Sequence, residues 1–242
     1  MKEENCEILE NVLLSENTYR MTLRQQEENF PRPGMFFALS LPSFFLRRPF
    51  SLMDHHDSFF TFVYKVVGKG TKAMSEMRAG TSLNALLGLG NGYDLSKSGD
   101  HPLLIGGGSG IGVMVDLARF LLKEGKHPLV AVGFNRKVEI YAEEELRKMS
   151  LSYRLFTVDG SAGEKGFPTL ALSSPHDYVY ACGPFPLLKA IALTDPVPGQ
   201  FSLERRMGCG YGCCMGCTIE TKHGPRRVCK DGPVFEKEDL LW

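Results

Sequence analysis

Five of the seven cysteines in this 242-residue chain lie between Cys209 and Cys229, in the stretches MGCGYGCCMGCTIE and RRVCKDGPVF. In a reducing compartment, clustered thiols are better interpreted as metal ligands than as disulfides. Seven is also an odd number, which fits a pure disulfide framework poorly. The sequence therefore predicts a short metal-binding segment near the C-terminus.

The spacing of four of these cysteines indicates which metal they hold. Cys209, Cys214, Cys217 and Cys229 give the pattern C-x4-C-x2-C-x11-C, and the first three follow the spacing of plant-type [2Fe–2S] ferredoxins. Glycines interleave with them, so that backbone N–H groups can approach the inorganic sulfides of a cluster. We interpret Cys213 as a bystander, because adjacent residues in a tight loop rarely direct both side chains at one metal.

Zinc is the alternative metal for this segment. The pair Cys214-x-x-Cys217 by itself suits zinc. A zinc ribbon, however, usually pairs two such knuckles, whereas Cys209 and Cys229 each stand singly. The spacing and the glycine content favour the [2Fe–2S] cluster.

The remainder of the chain contains two kinds of sequence pattern. Residues 5 to about 95 contain short segments rich in β-branched and aromatic residues, which predict an antiparallel β-barrel. From about residue 101, apolar strands alternate with helical patterns, which is typical of a parallel sheet flanked by helices. A final strand, FSLERRM, is expected just before the cysteine segment. We therefore expect a mixed fold with a β-barrel at 1–99, an α/β nucleotide-binding domain at 100–200 and a cluster module at 201–242.

Charge and hydropathy exclude several classes of partner. Lys plus Arg and Asp plus Glu each total 28, so the formal net charge is zero and nothing favours nucleic acid or an anionic membrane. The longest apolar runs are far shorter than a membrane span, and the N-terminus lacks a signal-peptide pattern. We expect a soluble, cytoplasmic protein.

Two segments of the predicted barrel suit a phosphorylated ligand. In RRPFSLMD, Arg48 offers a fork for phosphate, Phe50 a flat ring and Ser51 a hydroxyl, with Arg48 and Phe50 on one face of a strand. In YKVVGKGTKAM, free backbone amides and the Thr71 hydroxyl precede a helix-like KAMSEM. Each segment alone is more often an ordinary strand end or turn.

The glycine run GGGSGIG also suits a phosphorylated ligand. Its register departs from a strict G-x-G-x-x-G, but a strand precedes it and a helix follows, which suits a pyrophosphate. A tight turn without a ligand is the alternative. Gly183 and Pro184 follow the strand YVYACG, where ligands of open α/β sheets lie. Cys182 is either a small buried residue or part of that site.

Together these motifs resemble the ferredoxin–NADP reductase superfamily and, more narrowly, the electron-transfer subunits of B-type dihydroorotate dehydrogenases. The resemblance covers nearly the whole chain, through RPFS, VVGKGT, GGGSGIG, YACGP, ERRMGCGYGCCMGC and RVCKDGPVF. It implies FAD, a [2Fe–2S] cluster and NAD as cofactors. The segments ERRMGCGYGCCMGC and RVCKDGPVF are the most specific.

The resemblance also implies roles for individual residues. Arg48 would contact the FAD pyrophosphate and Ser51 the region of the flavin N5, and Ser51 and Cys182 would be the catalytic residues. The expected FAD residues are Arg48, Pro49, Phe50, Ser51, Val63, Tyr64, Lys65, Gly70 and Thr71. The expected NAD residues are Gly106, Gly107, Gly108, Gly110 and Gly112 at the pyrophosphate, with Gly183 and Pro184 beside Cys182 at the nicotinamide. The expected cluster ligands are Cys209, Cys214, Cys217 and Cys229.

The implied function is electron transfer between NAD+ and an FMN-containing catalytic subunit that oxidises dihydroorotate, in pyrimidine (UMP) biosynthesis. The implied assembly is a heterotetramer with two copies of each subunit. Three features depart from the superfamily pattern: Phe50 stands where many members have tyrosine, Cys213 stands where a non-thiol residue is usual, and FNRK offers no acidic residue to a ribose 2′-OH. Arg136 would tolerate a 2′-phosphate, so the choice of NAD over NADP rests on the resemblance alone.

Two other functions remain open from the sequence. One is a ferredoxin- or sulfide-linked NAD(P)H oxidoreductase subunit with the same architecture. The other is a non-enzymatic iron–sulfur redox sensor, in which RPFS and GGGSGIG are only turns. We also expect His55 and His56 to be solvated residues of a polar hairpin.

Overall fold

Sixteen strands and four α-helices make up the chain in a computed structural model that describes all 242 residues. The strands are β1 (Lys2–Ser15), β2 (Thr18–Arg24), β3 (Phe36–Leu39), β4 (Arg48–Ser51), β5 (Asp54–His56), β6 (Phe59–Lys65), β7 (Ser82–Leu89), β8 (Leu103–Gly107), β9 (Leu129–Phe134), β10 (Ser152–Thr157), β11 (Glu164–Lys165), β12 (Val179–Cys182), β13 (Gly199–Ser202), β14 (Thr218–Thr221), β15 (Gly224–Arg227) and β16 (Val234–Glu236). The helices are α1 (Lys69–Ser75), α2 (Gly110–Lys123), α3 (Glu143–Lys148) and α4 (Phe185–Thr194).

The first seven strands form one antiparallel sheet in the order β4-β3-β7-β1-β2-β6-β5. Residues alternate between the interior and the solvent along β1, where Cys6 and Ile8 are buried and Glu7 between them is exposed. This period of two is what a half-buried strand requires. The ends of the sheet approach each other where Phe50 of β4 meets Phe62 of β6, with ring centroids 4.9 Å apart. The sheet therefore curls into the expected barrel.

The second sheet has the order β11-β10-β9-β8-β12-β13-β16, and all its neighbours are parallel except β13 and β16. Strands β8 and β12 are buried along their whole length, as strands covered on both faces must be. Helix α2 is buried on most of its surface, because it lies between this sheet and the barrel residues Met53 and Val63. The α/β prediction is confirmed.

The C-terminal segment leaves this sheet and returns to it. After β13 the chain passes through the cysteine loop and the β14–β15 hairpin, and β16 then pairs antiparallel with β13. The division at residues 99 and 200 stays a prediction, and the segment 201–242 is tied by β16 to the sheet that precedes it. The mixed fold class, with barrel, α/β sheet and C-terminal module, is confirmed.

Two details of the sequence prediction are wrong. The expected strand FSLERRM ends at Ser202, so that residues 203–207 are not part of a strand. His55 is buried rather than solvated: its side chain is 1% exposed, and its Nδ1 lies 3.4 Å from Asp116 Oδ1 of α2. No local pattern indicates this burial, because it comes from helix α2, which lies far from His55 along the chain.

This histidine connects the barrel to the α/β sheet through charge. Its Nε2 lies 3.4 Å from Glu28 Oε1, and the Phe120 ring of α2 lies 5.4 Å away. Burial alone lowers the pKa of His55, but the neighbouring Asp116 and Glu28 carboxylates raise it above its ordinary value. His55 thus lies between the Glu28 carboxylate of the barrel and the Asp116 carboxylate of α2, and both favour its charged form.

No helix of the structure is both long enough and apolar enough to cross a membrane.

We predict that His55→Gln lowers the free energy of unfolding by about 3 kcal/mol near pH 6, because Asp116 is left as a buried, unpaired charge. A raised histidine pKa stabilises the fold below the ordinary value of about 6.5, and this stabilisation is lost as the pH rises through the folded-state pKa. The variant should therefore lose part of the pH dependence of the melting temperature at and above the ordinary histidine pKa of about 6.5.

His56→Gln is the matched control, since His56 adjoins His55 but its side chain is 56% exposed beside Asp54. It should melt like the unmodified protein at every pH. Equal pH profiles for the unmodified protein and His55→Gln would show that the His55–Asp116 contact is not ionic.

Candidate functional site

A cleft between the barrel and the parallel sheet holds a cavity of about 440 Å³. Its size is in the range of small-molecule sites. Residues from the barrel, from the parallel sheet and from the segment before the cysteine loop meet here. The lining comprises Phe36, Pro49, Phe50, Ser51, Val63, Tyr64, Lys65, Val67, Thr71, Ser109, Cys182, Ser202, Leu203, Glu204, Arg205, Met207 and Pro233.

Most of the barrel residues expected at a flavin therefore line this one cavity. The exceptions are Arg48 and Gly70. Phe50 packs against Phe62 and Tyr64, so its ring forms part of the cavity wall and is supported from behind. The Tyr64 hydroxyl donates a hydrogen bond of 2.9 Å to Asn11 Oδ1, which holds the end of β6 against β1.

Arg48 lies against α1, outside the main cavity. Its guanidinium lies 4.7 Å over the Phe44 ring, and a Cβ at Gly70 would come within 3.0 Å of Arg48 Nε. Gly70 therefore allows the guanidinium to approach the first turn of α1. The Thr71 hydroxyl accepts hydrogen bonds from the backbone N–H groups of Val67 and Gly68, at 3.0 and 3.2 Å. In this structure Thr71 thus organises the start of the helix.

The glycine run joins β8 to α2 at the carboxyl edge of the parallel sheet. Gly110 is the position where a side chain is least tolerable, because a Cβ there would lie 2.2 Å from the Cys182 carbonyl oxygen. This close approach places Ser109, just before α2, beside Cys182. Tyr141 supports the turn by donating a hydrogen bond of 2.6 Å to the Gly108 carbonyl.

Ser51 and Cys182, the two expected catalytic residues, face the same cavity from opposite domains. Burial raises the pKa of the Cys182 thiol far above its ordinary value, and the Glu204 carboxylate raises it further. The thiol therefore keeps its proton at neutral pH and is not a thiolate nucleophile.

The structure adds Glu204 to the site, a residue that sequence reasoning missed. Its Oε1 accepts a hydrogen bond of 3.0 Å from the Ser109 hydroxyl, so it lies across the start of α2. Glu204 follows β13, and the carboxyl end of a parallel strand is where site residues are expected. The predicted strand FSLERRM includes Glu204, so the sequence did not indicate that this residue lies just beyond the end of β13.

Gly183 and Pro184 lie in a neighbouring cavity of about 660 Å³, together with Phe185, Glu204 and Trp242. Trp242 stacks on Phe185 with ring centroids 5.8 Å apart. The end of the chain therefore covers the start of α4, next to the turn that follows Cys182.

The four expected cluster ligands lie in two pairs, Cys209 with Cys214 and Cys217 with Cys229. The Cys209 sulfur accepts hydrogen bonds from the N–H groups of Cys213 and Cys214 at 3.3 and 3.4 Å, and the Cys217 sulfur accepts one from Cys229 at 3.4 Å. No three His, Cys, Asp or Glu side chains are gathered so as to hold a single metal ion. Cys213 takes part through its N–H group.

The chemistry of these sulfurs suits metal ligation. Burial raises the pKa of the Cys209 thiol, but the N–H groups of Cys214, Tyr211 and Cys213 lower it to about 6, which favours the thiolate. Burial and the nearby Cys217 and Cys209 raise the pKa of Cys229 to about 12. Thiolates this close repel each other and are stabilised together by a cation. The donor set therefore fits an iron–sulfur cluster.

Comparison with known proteins agrees with this geometry. The family model for the iron–sulfur cluster binding domain of dihydroorotate dehydrogenase B matches residues 204–241. A dihydroorotate dehydrogenase B (NAD(+)) electron transfer subunit from Fusobacterium nucleatum is 36% identical, over 99% of both chains. A homolog of that subunit from Aquifex aeolicus is 40% identical, over 100% of this chain and 99% of the relative.

Solved structures show the same architecture. A chain from the NADH-dependent reduced ferredoxin-NADP oxidoreductase, studied for flavin-based electron bifurcation, superposes with a TM-score of 0.89 and 28% identity, over 98% of this chain and 90% of that one. Phthalate dioxygenase reductase superposes with a TM-score of 0.69 and 17% identity, over 91% and 87% of the two chains. The second likeness concerns the fold alone.

We predict that Gly110→Ala lowers the free energy of unfolding by about 3 kcal/mol, because the added methyl group overlaps the Cys182 carbonyl. Gly112→Ala on the same helix is the control: its Cβ would lie 3.3 Å from the Met53 side chain, and alanine favours the helix. Chemical unfolding should show a cost below about 1 kcal/mol for Gly112→Ala. Equal costs would mean that the contact with Cys182 is not what limits position 110.

Proposed function

Since the chain belongs to the family of electron-transfer subunits of dihydroorotate dehydrogenase B, we propose that it carries electrons between NAD+ and a catalytic subunit that oxidises dihydroorotate. The cofactors of this proposal are FAD, NAD and a [2Fe–2S] cluster. The flavin, when bound, supplies the exchange between two-electron hydride chemistry and one-electron transfer. The dihydroorotate site and its FMN belong to the partner subunit, and the process served is pyrimidine biosynthesis.

One observation carries the proposal: the segment that holds the cysteines also lines the cavity between the two domains. Met207 precedes Cys209 by two residues and lines the cavity, as does Pro233, four residues after Cys229. On the other side, a Cβ at Gly210 would lie 3.8 Å from Leu89 of the barrel. The thiols and the cavity are therefore held next to each other by packing.

In this proposal the barrel binds the flavin. Pro49, Phe50 and Ser51 form one wall of the ring site, and Val63, Tyr64 and Lys65 of β6 form the adjacent one. Arg48 and the start of α1, with Gly70 and Thr71, bind the phosphates. The Arg48 guanidinium is suited to this because it is a permanent cation with a planar set of donors.

The parallel sheet binds the dinucleotide. Gly106, Gly107, Gly108, Gly110 and Gly112 bring backbone N–H groups to the pyrophosphate at the start of α2. Cys182, Gly183 and Pro184 place the nicotinamide against the cavity, opposite Ser51. The Cys182 Sγ keeps its proton, so it adds no charge to the hydride-transfer site.

Cys209, Cys214, Cys217 and Cys229 ligate the cluster in this proposal. Tyr211 and Met215 are 45% and 53% exposed on the same loop, which leaves this face open to the partner subunit. Thiolate ligands persist in a reducing compartment, so we propose the cytoplasm as the location. Assembly as a heterotetramer with two copies of each subunit stays a prediction.

A second function is favoured by one specific observation, the TM-score of 0.89 to a chain of the NADH-dependent reduced ferredoxin-NADP oxidoreductase. A subunit of that kind would have the same architecture and a different partner. The partner therefore decides between the two functions.

The test is purification from the native source without exposure to oxygen. We expect FAD, iron and acid-labile sulfide in the preparation, reduction of an artificial acceptor by NADH, and co-purification of an FMN protein that oxidises dihydroorotate. A partner flavoprotein without dihydroorotate activity would favour the second function. A preparation that contains neither FAD nor a cluster would leave only the non-enzymatic alternatives.

We predict that the two adjacent thiols of the loop differ in role. Cys214→Ser should abolish the cluster absorption and reduce bound iron by at least about tenfold, because ligand loss disrupts the cluster. Cys213→Ser should retain both, because Cys213 contributes its backbone N–H group, which serine also has. Iron and sulfide analysis with visible spectroscopy measures both variants. If only Cys213→Ser lost its iron, Cys213 rather than Cys214 would be the cluster ligand.

A further inference from the structure

The tip of the first hairpin of the barrel is docked on the nucleotide-binding domain. At the end of β1, the Ser15 hydroxyl donates a hydrogen bond of 3.2 Å to the Glu139 carbonyl. The backbone N–H of Glu16 donates another of 3.2 Å to the Val138 carbonyl. These two bonds hold the hairpin against the loop that follows β9, so the Glu16 side chain starts from a fixed backbone.

The Glu16 carboxylate meets the guanidinium of Arg136, two residues beyond the end of β9. Arg136 Nη2 lies 2.8 Å from Glu16 Oε2, and its Nε lies 3.7 Å from Glu139 Oε1. Glu139 is also approached by Lys65, 3.7 Å from its Oε2, and by the Asn135 amide at 3.3 Å. The guanidinium thus lies between two carboxylates, one from each domain.

This location matters for the dinucleotide. When a pyrophosphate lies at the turn after the first strand of such a sheet, the adenosine ribose reaches the carboxyl end of the neighbouring strand. Here the first strand is β8 and its neighbour is β9. An arginine at that end ordinarily accommodates the 2′-phosphate of NADP. Arg136 is therefore in a position that, by itself, favours the phosphorylated dinucleotide.

We propose that Glu16 is a positioning residue for dinucleotide selection: it holds the Arg136 guanidinium and so makes the chain prefer NAD(H) over NADP(H). A 2′-phosphate would have to break the Glu16–Arg136 pair and then lie close to the carboxylates of Glu16 and Glu139. Repulsion between like charges penalises that arrangement, whereas an unmodified 2′-OH meets no such penalty. The discriminating charge comes from the flavin-binding barrel. This inference rests on the proposed use of a nicotinamide dinucleotide.

The test compares NADH and NADPH as electron donors to an artificial acceptor, using the complete protein with its cofactors. In Glu16→Gln, we expect the ratio of kcat/KM for NADPH to that for NADH to rise about fivefold, the scale of an exposed ion pair. The change should come from a lower KM for NADPH, with kcat for NADH unaltered. Glu16→Lys should raise the ratio further, because it adds a cation.

Two further variants separate this role from a structural one. In Glu16→Gln combined with Arg136→Ala, the gain with NADPH should disappear, because the freed guanidinium is what receives the phosphate. Glu7→Gln is the matched control: Glu7 lies on β1, which leads to the hairpin tip, and forms a similar exposed pair with Arg24, at 3.1 Å, but lies about 30 Å along the chain from Glu16. It should leave the ratio unchanged.

A binding measurement supplies a readout that does not depend on turnover. The dissociation constant of 2′-phospho-ADP-ribose should fall in Glu16→Gln, while that of ADP-ribose stays constant. An unchanged ratio, or a gain that persists without Arg136, would overturn the role of Glu16 and leave the proposed function standing. An unmodified protein that oxidises neither dinucleotide would refute the proposed function, and this inference with it.

Discussion

The structure depends on one apolar core that all three parts of the chain share. Phe36 of the barrel, Ile105 of the parallel sheet and Cys217 and Phe235 of the C-terminal segment belong to the same buried cluster. A segment as short as 201–242 buries too little apolar surface to fold alone. It folds because β16 joins the parallel sheet and its apolar side chains complete this core. The cysteine loop is thereby fixed next to the cavity.

Packing of this kind has a direct consequence for electron transfer. The cavity wall and the cysteine loop are built from the same stretch of chain, since Cys209 follows the cavity-lining Met207 by two residues. The backbone N–H groups that donate to the Cys209 sulfur arise from the same tight loop. The position of the Cys209 sulfur is therefore held by backbone hydrogen bonds rather than by side chains alone.

The contact between the barrel and the parallel sheet also includes two pairs of polar or charged side chains. His55 and Asp116 are buried on one side, and Glu16 and Arg136 form an exposed pair on another. Removal of either partner of the buried pair would leave the other as an unpaired buried group. The exposed pair contributes little to stability, and in our proposal it matters because it holds Arg136 beside the dinucleotide. The same interface thus both joins the domains and shapes their common site.

The sequence by itself determined the parts and their order, because each depends on local pattern: cysteine spacing for the cluster loop, alternation for the barrel, and glycines between strand and helix for the nucleotide turn. Only the tertiary structure decided which residues meet across domains. The burial of His55 by α2, the approach of Glu204 to Ser109 and the contact of Glu16 with Arg136 all join residues far apart in the chain. No local periodicity records such contacts, because they arise only when separately folded surfaces pack together.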